Sequence, residues 1–226
     1  MSEVLTESLE VNVDKEIDLD RSISSGSEPT ALADIYENNV NIAIWHRTFS
    51  EALTNEISQF IALNPTFSKS VTVTPETTYQ KLEYSTDGTA SKALLESMAE
   101  LVDMFCCLFD LEEVGLRLAV LEDGMCPRFH CDQVPCRLVT TYQGGATQWL
   151  PNYAVDRSKL GHGSNGQPDS TSGLYSHESD VQQLAAGDVA LLKGGRWDGN
   201  ENRALVHRSP VTSNNEPRLL LTLDFA

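Results

Sequence analysis

The 226-residue chain contains no apolar run approaching the roughly 18 residues that a membrane-spanning helix requires. Its first thirty residues lack the basic start and apolar stretch of a secretory signal. Basic residues are scarce, with 16 Lys+Arg against 33 Asp+Glu and a formal net charge of -17. No basic patch or stripe is visible, which argues against a nucleic-acid backbone as partner and against any polyanionic substrate. The five cysteines are an odd number and do not form a disulfide framework, so a reducing compartment suits them. Together these absences lead us to expect a cytoplasmic protein with no membrane partner. With 40% hydrophobic residues the chain has enough apolar side chains for one substantial core.

Part of the negative charge is local. Between Met1 and Thr30, Glu3, Glu7, Glu10, Asp14, Glu16, Asp18, Asp20 and Glu28 face only Lys15 and Arg21. Residues 1–30 therefore read as a mobile acidic tail, although the alternation in "LEVNVDKEIDLD" leaves room for a short edge strand. Residues 31–226 read as a single domain. "NVNIAIWHR" alternates as a strand, and Thr48 with Glu51 forms a capping-box pattern ahead of Phe49, Leu53, Ile57, Phe60 and Ile61 at helical spacing. "SVTVTPETTY" is β-rich, and a helix is expected from about Ser91 to Phe109. From Val114 onward, short strands follow one another with turns between them. The fold class is α+β, with a helical buttress over about 48–110 and a β-sandwich or barrel over about 114–226. A Gly, Ser, Asn and Asp-rich insertion at 151–180 is too long for a hairpin and reads as a lid.

Within "PRFHCDQVP", His130 and Asp132 stand two places apart, so on an extended chain both side chains point to one face. Cys131 between them points the other way, toward packing. His46, His162 and His177 lie before the first helix or in the insertion and read as surface or packing residues. His207, in the strand "ALVHRSPV", supplies a third ligand. Two histidines and one carboxylate on neighbouring strands form the facial set that holds iron(II) and leaves positions open for substrate and oxygen. Along "RLLLTLDF", Leu219, Leu221, Leu223 and Phe225 share one face, and Arg218, Leu220, Thr222 and Asp224 the other. An arginine in such company needs a carboxylate, which the far end of a dicarboxylate cosubstrate would provide.

From Leu118 to Phe225 the chain resembles the iron(II)- and 2-oxoglutarate-dependent dioxygenases, in particular their prolyl-hydroxylase-like branch. The resemblance rests on His130, Asp132, His207 and Arg218 in that order, on Gly124 ahead of the first histidine, and on "GGATQW", "AAGDVALL" and the closing "HRSPVTSNNEPRLLLTLDF". It implies a double-stranded β-helix (jelly-roll) core, iron(II) held by His130, Asp132 and His207, and 2-oxoglutarate held by Arg218. The implied activity couples conversion of the cosubstrate to succinate and carbon dioxide with oxidation of a small-molecule or protein substrate. One departure is that "LRLAVLEDG" lacks the tyrosine often found on the first core strand, which leaves Tyr142 or Thr140 to serve the cosubstrate. "WHR", "KGGRW" and "VHRSP" are similar to a bacterial group of this type, for which fold but no substrate is implied.

Two other readings stay open. Cys126, Cys131 and Cys136 near the imidazoles suit zinc, and with it a non-catalytic metal-binding role. A third reading is an interaction module contacted through the acidic tail. Arg117 and Arg137 read as structural ion pairs or barrel lining, and Gly194, Gly195 and Trp197 as a turn. The oligomeric state is not legible.

Overall fold

The computed structural model describes residues 22–122, 126–210 and 216–226. Strand β1 (Ser22–Gly26) leads through a 3-10 segment, Pro29–Tyr36, to β2 (Val40–Trp45). Helix α1 (Glu51–Leu63) is capped by Ser50, whose hydroxyl accepts the Leu53 N–H at 3.2 Å. The expected Thr48 cap is thus displaced by a nearer hydroxyl. Strand β3 (Ser68–Val73) stops where the β-rich reading continued, because α2 (Pro75–Ser85) begins there. Pro75 stands in the first turn, where its fixed φ favours a helix and its missing N–H costs nothing. Thr77 Oγ1 accepts the Thr74 N–H at 3.0 Å. Helix α3 (Lys92–Phe109) starts on Ser91 and ends at a left-handed Asp110.

Strands β4 (Val114–Leu121), β5 (Cys136–Gln143), β6 (Gln148–Leu150), β7 (Gln182–Gln183), β8 (Val189–Lys193), β9 (Val206–Arg208) and β10 (Arg218–Phe225) follow. They form a seven-stranded sheet of order β1-β2-β8-β5-β10-β4-β3 and a three-stranded sheet of order β7-β6-β9. Among the described residues β1 and β2 pair in parallel and the other pairings are antiparallel. β1 corrects the tail's expected end at Thr30: Ser22–Gly26 gains a backbone ladder on β2, and Leu32 and Ile35 beyond it are buried. The remainder of the expected tail, residues 1–21, lies outside the described residues.

Strand parity divides the large sheet into two chemistries. On one face Leu116, Leu118, Leu138, Leu191, Leu219, Leu221 and Leu223 pack against Ile57, Phe60, Leu94, Met98, Leu101 and Phe105 of the helices. On the other, Ile42, Ile44, Val139, Ala190, Leu192 and Leu220 pack against Ala146, Trp149, Leu184 and Leu205. The small sheet thus sits across the large sheet from the helices, and the polar residues of β5 and β10 open between the two sheets. A third apolar cluster joins Phe129, Leu150 and Val206 to Leu174, with Val155, Leu160, Tyr175 and Val181 beside it. The 151–180 segment is therefore packed through its own apolar residues. Among the described residues no helix is long and apolar enough to cross a membrane.

Candidate metal centre

His130 and His207 meet across an isolated antiparallel bridge, in which each backbone N–H donates to the other's carbonyl at 3.0 Å. The ring centroids lie 4.6 Å apart. Each ring turns its Nδ1 toward the carbonyl two residues earlier, His130 to Arg128 at 2.9 Å and His207 to Leu205 at 3.2 Å. A proton on Nδ1 satisfies that carbonyl and leaves the Nε2 lone pair free, the tautomer a metal ligand needs. Both Nε2 atoms face Asp132, at 3.7 Å from Oδ1 and 3.3 Å from Oδ2 respectively. His130, Asp132 and His207 each offer one ligand atom, all within 4.8 Å of one another. Burial and the neighbouring His207 charge hold the His130 imidazole below its ordinary pKa, which favours the neutral, ligating form. For Asp132 burial acts upward, but the His207 hydrogen bond and charge, with those of Arg137 and His130, outweigh it and hold the carboxyl at about 2.

The triad is clamped from two sides. Arg137 donates to Asp132 Oδ2 at 2.7 Å and is itself gripped by Asp224 through two bonds of 2.8 Å. This agrees with an ion-pair reading of Arg137 and adds that its partner is the triad carboxylate. On the far side, Asp169 of the insertion is 9% exposed and accepts the Phe129 N–H at 2.8 Å. It also lies 3.6 Å from Arg128 and 3.5 Å from Arg208, while Arg208 stacks on Phe129 at 4.2 Å. One carboxylate therefore ties together the residues adjoining both histidines. The segment expected as a lid is here a strap.

Arg218 is 2% exposed, and its described partners are hydroxyls alone: Thr141 at 3.0 and 3.2 Å, Thr147 at 2.9 Å and Ser209 at 3.3 Å. Burial pulls its pKa down to about 10. It lines one cavity with His130, His207, Thr147 and Ser209, where Val139, Leu192 and Leu220 supply the apolar walls. The sequence reading missed Thr141, Thr147 and Ser209. Ser209 stands two places after His207 and Thr141 four after Arg137, so strand parity was the available signal.

Tyr142 and Thr140, expected beside the cosubstrate, lie instead on the helix side. Tyr142 stacks on Phe49 at 5.4 Å and meets Ser97, and the Arg47 guanidinium reaches Thr140 at 3.4 Å. The reason is strand parity: Thr140 and Tyr142 alternate with Cys136 and Leu138 onto the helix face, while Arg137, Val139 and Thr141 turn to the other face, where Thr141 meets Arg218. The cysteines also stand apart. Cys131 Sγ contacts the Ala204 carbonyl and Arg157, Cys136 is buried among the helix-side core with its thiol pushed far up by burial, and Cys126 belongs to the cavity wall but not to the ligand group. His46 pairs with Asp188 at 3.0 Å.

A family profile described as "Protein of unknown function (DUF1826)" matches residues 26–224. A comparison with curated proteins gave no match. Among solved structures the chain is similar to the dioxygenase for auxin oxidation 1 from Arabidopsis thaliana in its 2-oxoglutarate complex, at 10% identity and TM-score 0.48, covering 90% of this chain and 91% of that one. A full-length Neurospora crassa protein in complex with alpha-KG gives 12% identity and TM-score 0.47, covering 90% and 83%. A Pseudomonas putida prolyl-4-hydroxylase gives 12% identity and TM-score 0.43, covering 87% and 96%. Such scores mark a loose likeness of arrangement, and the chemistry rests on this chain's own side chains.

Proposed function

The chain belongs to the DUF1826 family, and for this member we propose an iron(II)- and 2-oxoglutarate-dependent oxygenase of the hydroxylase type, on a double-stranded β-helix made of the two facing sheets. The observation that carries the reading is the His130–Asp132–His207 group beside a buried guanidinium whose partners among the described residues are hydroxyls. The donor set fits the group it would hold. Two neutral imidazoles and one carboxylate are the ligands of mononuclear iron(II) sites with open positions, and no thiolate joins them to favour zinc.

His130, Asp132 and His207 would hold the metal, with their rings fixed by the Arg128 and Leu205 carbonyls. Arg218 would take the distal carboxylate of 2-oxoglutarate in a two-pronged pair, while Thr141, Thr147 and Ser209 keep the guanidinium plane in place. Arg137 holds Asp132 in one orientation. Val139, Leu192 and Leu220 keep water from the cosubstrate's path. Bound iron(II) supplies the oxygen chemistry that splits 2-oxoglutarate to succinate and carbon dioxide, with one oxygen atom kept in succinate and one passed to the substrate.

The test is anaerobic reconstitution. Wild type should bind about one iron(II) per chain, and His130→Ala or His207→Ala should abolish binding. Adding 2-oxoglutarate should produce a saturable metal-to-ligand absorption band, and admitting oxygen should release succinate. Zinc retained through purification with no 2-oxoglutarate response would overturn the reading.

A further inference from the structure

A cavity of ≈ 420 Å³ lies beside the triad on the same face of the large sheet. Its floor is the row Ser70–Arg117–Thr222, which register places side by side on β3, β4 and β10. Thr72, Gly115 and Asp224 lie in the neighbouring row. Arg137 and Thr222 line both this groove and the cavity of His130, His207 and Arg218, so the two spaces share a wall. The volume falls within the range of small-molecule sites.

The lining selects chemistry. Among the described residues no aromatic side chain borders the groove, and Ser70, Thr72 and Thr222 offer hydroxyls. Arg137 is already engaged by Asp132 and Asp224. Arg117, in contrast, makes no hydrogen bond or ion pair among the described residues, in a chain whose acids outnumber its bases 33 to 16. A guanidinium with its donors free in a hydroxyl-lined groove is suited to an oxyanion. Gly115 keeps the floor low: a Cβ there would meet only the Asp224 carbonyl oxygen, at 3.8 Å. We propose that this groove binds the substrate, a small polar molecule whose carboxylate or phosphate pairs with Arg117 while its other end reaches past Arg137 to the metal centre. The proposal rests on the oxygenase reading and names its substrate class.

The experiment uses the full chain loaded with manganese(II) and saturated with N-oxalylglycine, an unreactive 2-oxoglutarate analogue. Free manganese is followed by electron paramagnetic resonance. Acetate, methyl phosphate and neutral acetamide are then titrated, and manganese-induced relaxation of their methyl protons is measured. One of the two anions should show saturable relaxation that acetamide lacks, and which one it is separates a carboxylate from a phosphate substrate. Arg117→Gln should weaken that anion by about tenfold, the scale of one charge-assisted contact. Gly115→Val, which fills the groove without backbone strain, should weaken it likewise, and neither variant should alter manganese affinity. If manganese is not held, the oxygenase reading falls and the groove's role with it. If manganese is held but the anions bind no better than acetamide, or bind Arg117→Gln as well as wild type, the groove proposal alone is overturned.

Discussion

A cation at 2% exposure whose partners among the described residues are hydroxyls is held against its solvation preference, since hydroxyl dipoles only partly replace water. Two opposite consequences follow for Arg218. Replacing it by Ala should weaken 2-oxoglutarate by roughly ten to a hundredfold, taking a charged, forked pair at about 1.5 to 3 kcal/mol. Arg218→Lys, which keeps the charge but loses the fork, should fall between. Titration of the anaerobic iron protein measures both, and equal affinity in all three forms would remove the anchor role. Arg218→Met, by contrast, should leave the thermal midpoint of the metal-free protein unchanged or higher while abolishing cosubstrate binding, a trade of stability for function. Gly144 sets where this side chain starts: at φ 87 a Cβ would sit 3.0 Å from both Arg218 Cα and the Pro217 carbonyl. Gly144→Ala should therefore cost about 1 kcal/mol or more and weaken 2-oxoglutarate without touching a ligand residue.

The strap is the element on which sequence and structure differ most instructively. Its Gly, Ser and Asn content made it look mobile, yet Leu174 is 1% exposed and Asp169 reaches both histidine-bearing segments. Asp169→Asn keeps the shape and removes the charge. It should lower metal affinity by about tenfold, as outer partners of metal ligands do, and speed proteolysis between Val155 and Leu174. Unchanged affinity with unchanged cleavage would make the contact incidental. Elsewhere, periodicity was a sound guide wherever one face was apolar: α3 and the two faces of β10 are as the residue pattern has them. It failed at α2, where Thr and Tyr favour strands but Pro75 starts a helix; on β5 parity holds, and it is what sets Tyr142 on the helix face with Cys136 and Leu138. Candidate ligands could be named because HxD fixes two of them locally. Their carboxylate supports could not, since Asp169 meets Phe129 and Asp224 meets Arg137 through contacts far apart in the chain.

For the molecule as a whole, net charge of -17 implies self-repulsion that salt should relieve, so the metal-free protein should unfold at a higher temperature as sodium chloride is raised. Metal adds to this by mass action, about 2.7 kcal/mol at one hundred times its dissociation constant, and the gain should vanish in His207→Ala. An unchanged midpoint on loading wild type would contradict a preformed site. β10 brings these scales together. It lies between β5 and β4 with register on both sides, and its residues Leu219, Leu221 and Leu223 are 0% exposed in the main core. Its amide hydrogens are therefore expected to exchange with solvent only when the entire domain opens. The Leu219 and Leu221 amides should share the slowest exchange rates in the protein and the urea dependence of global unfolding, so the backbone under the guanidinium is as long-lived as the fold itself.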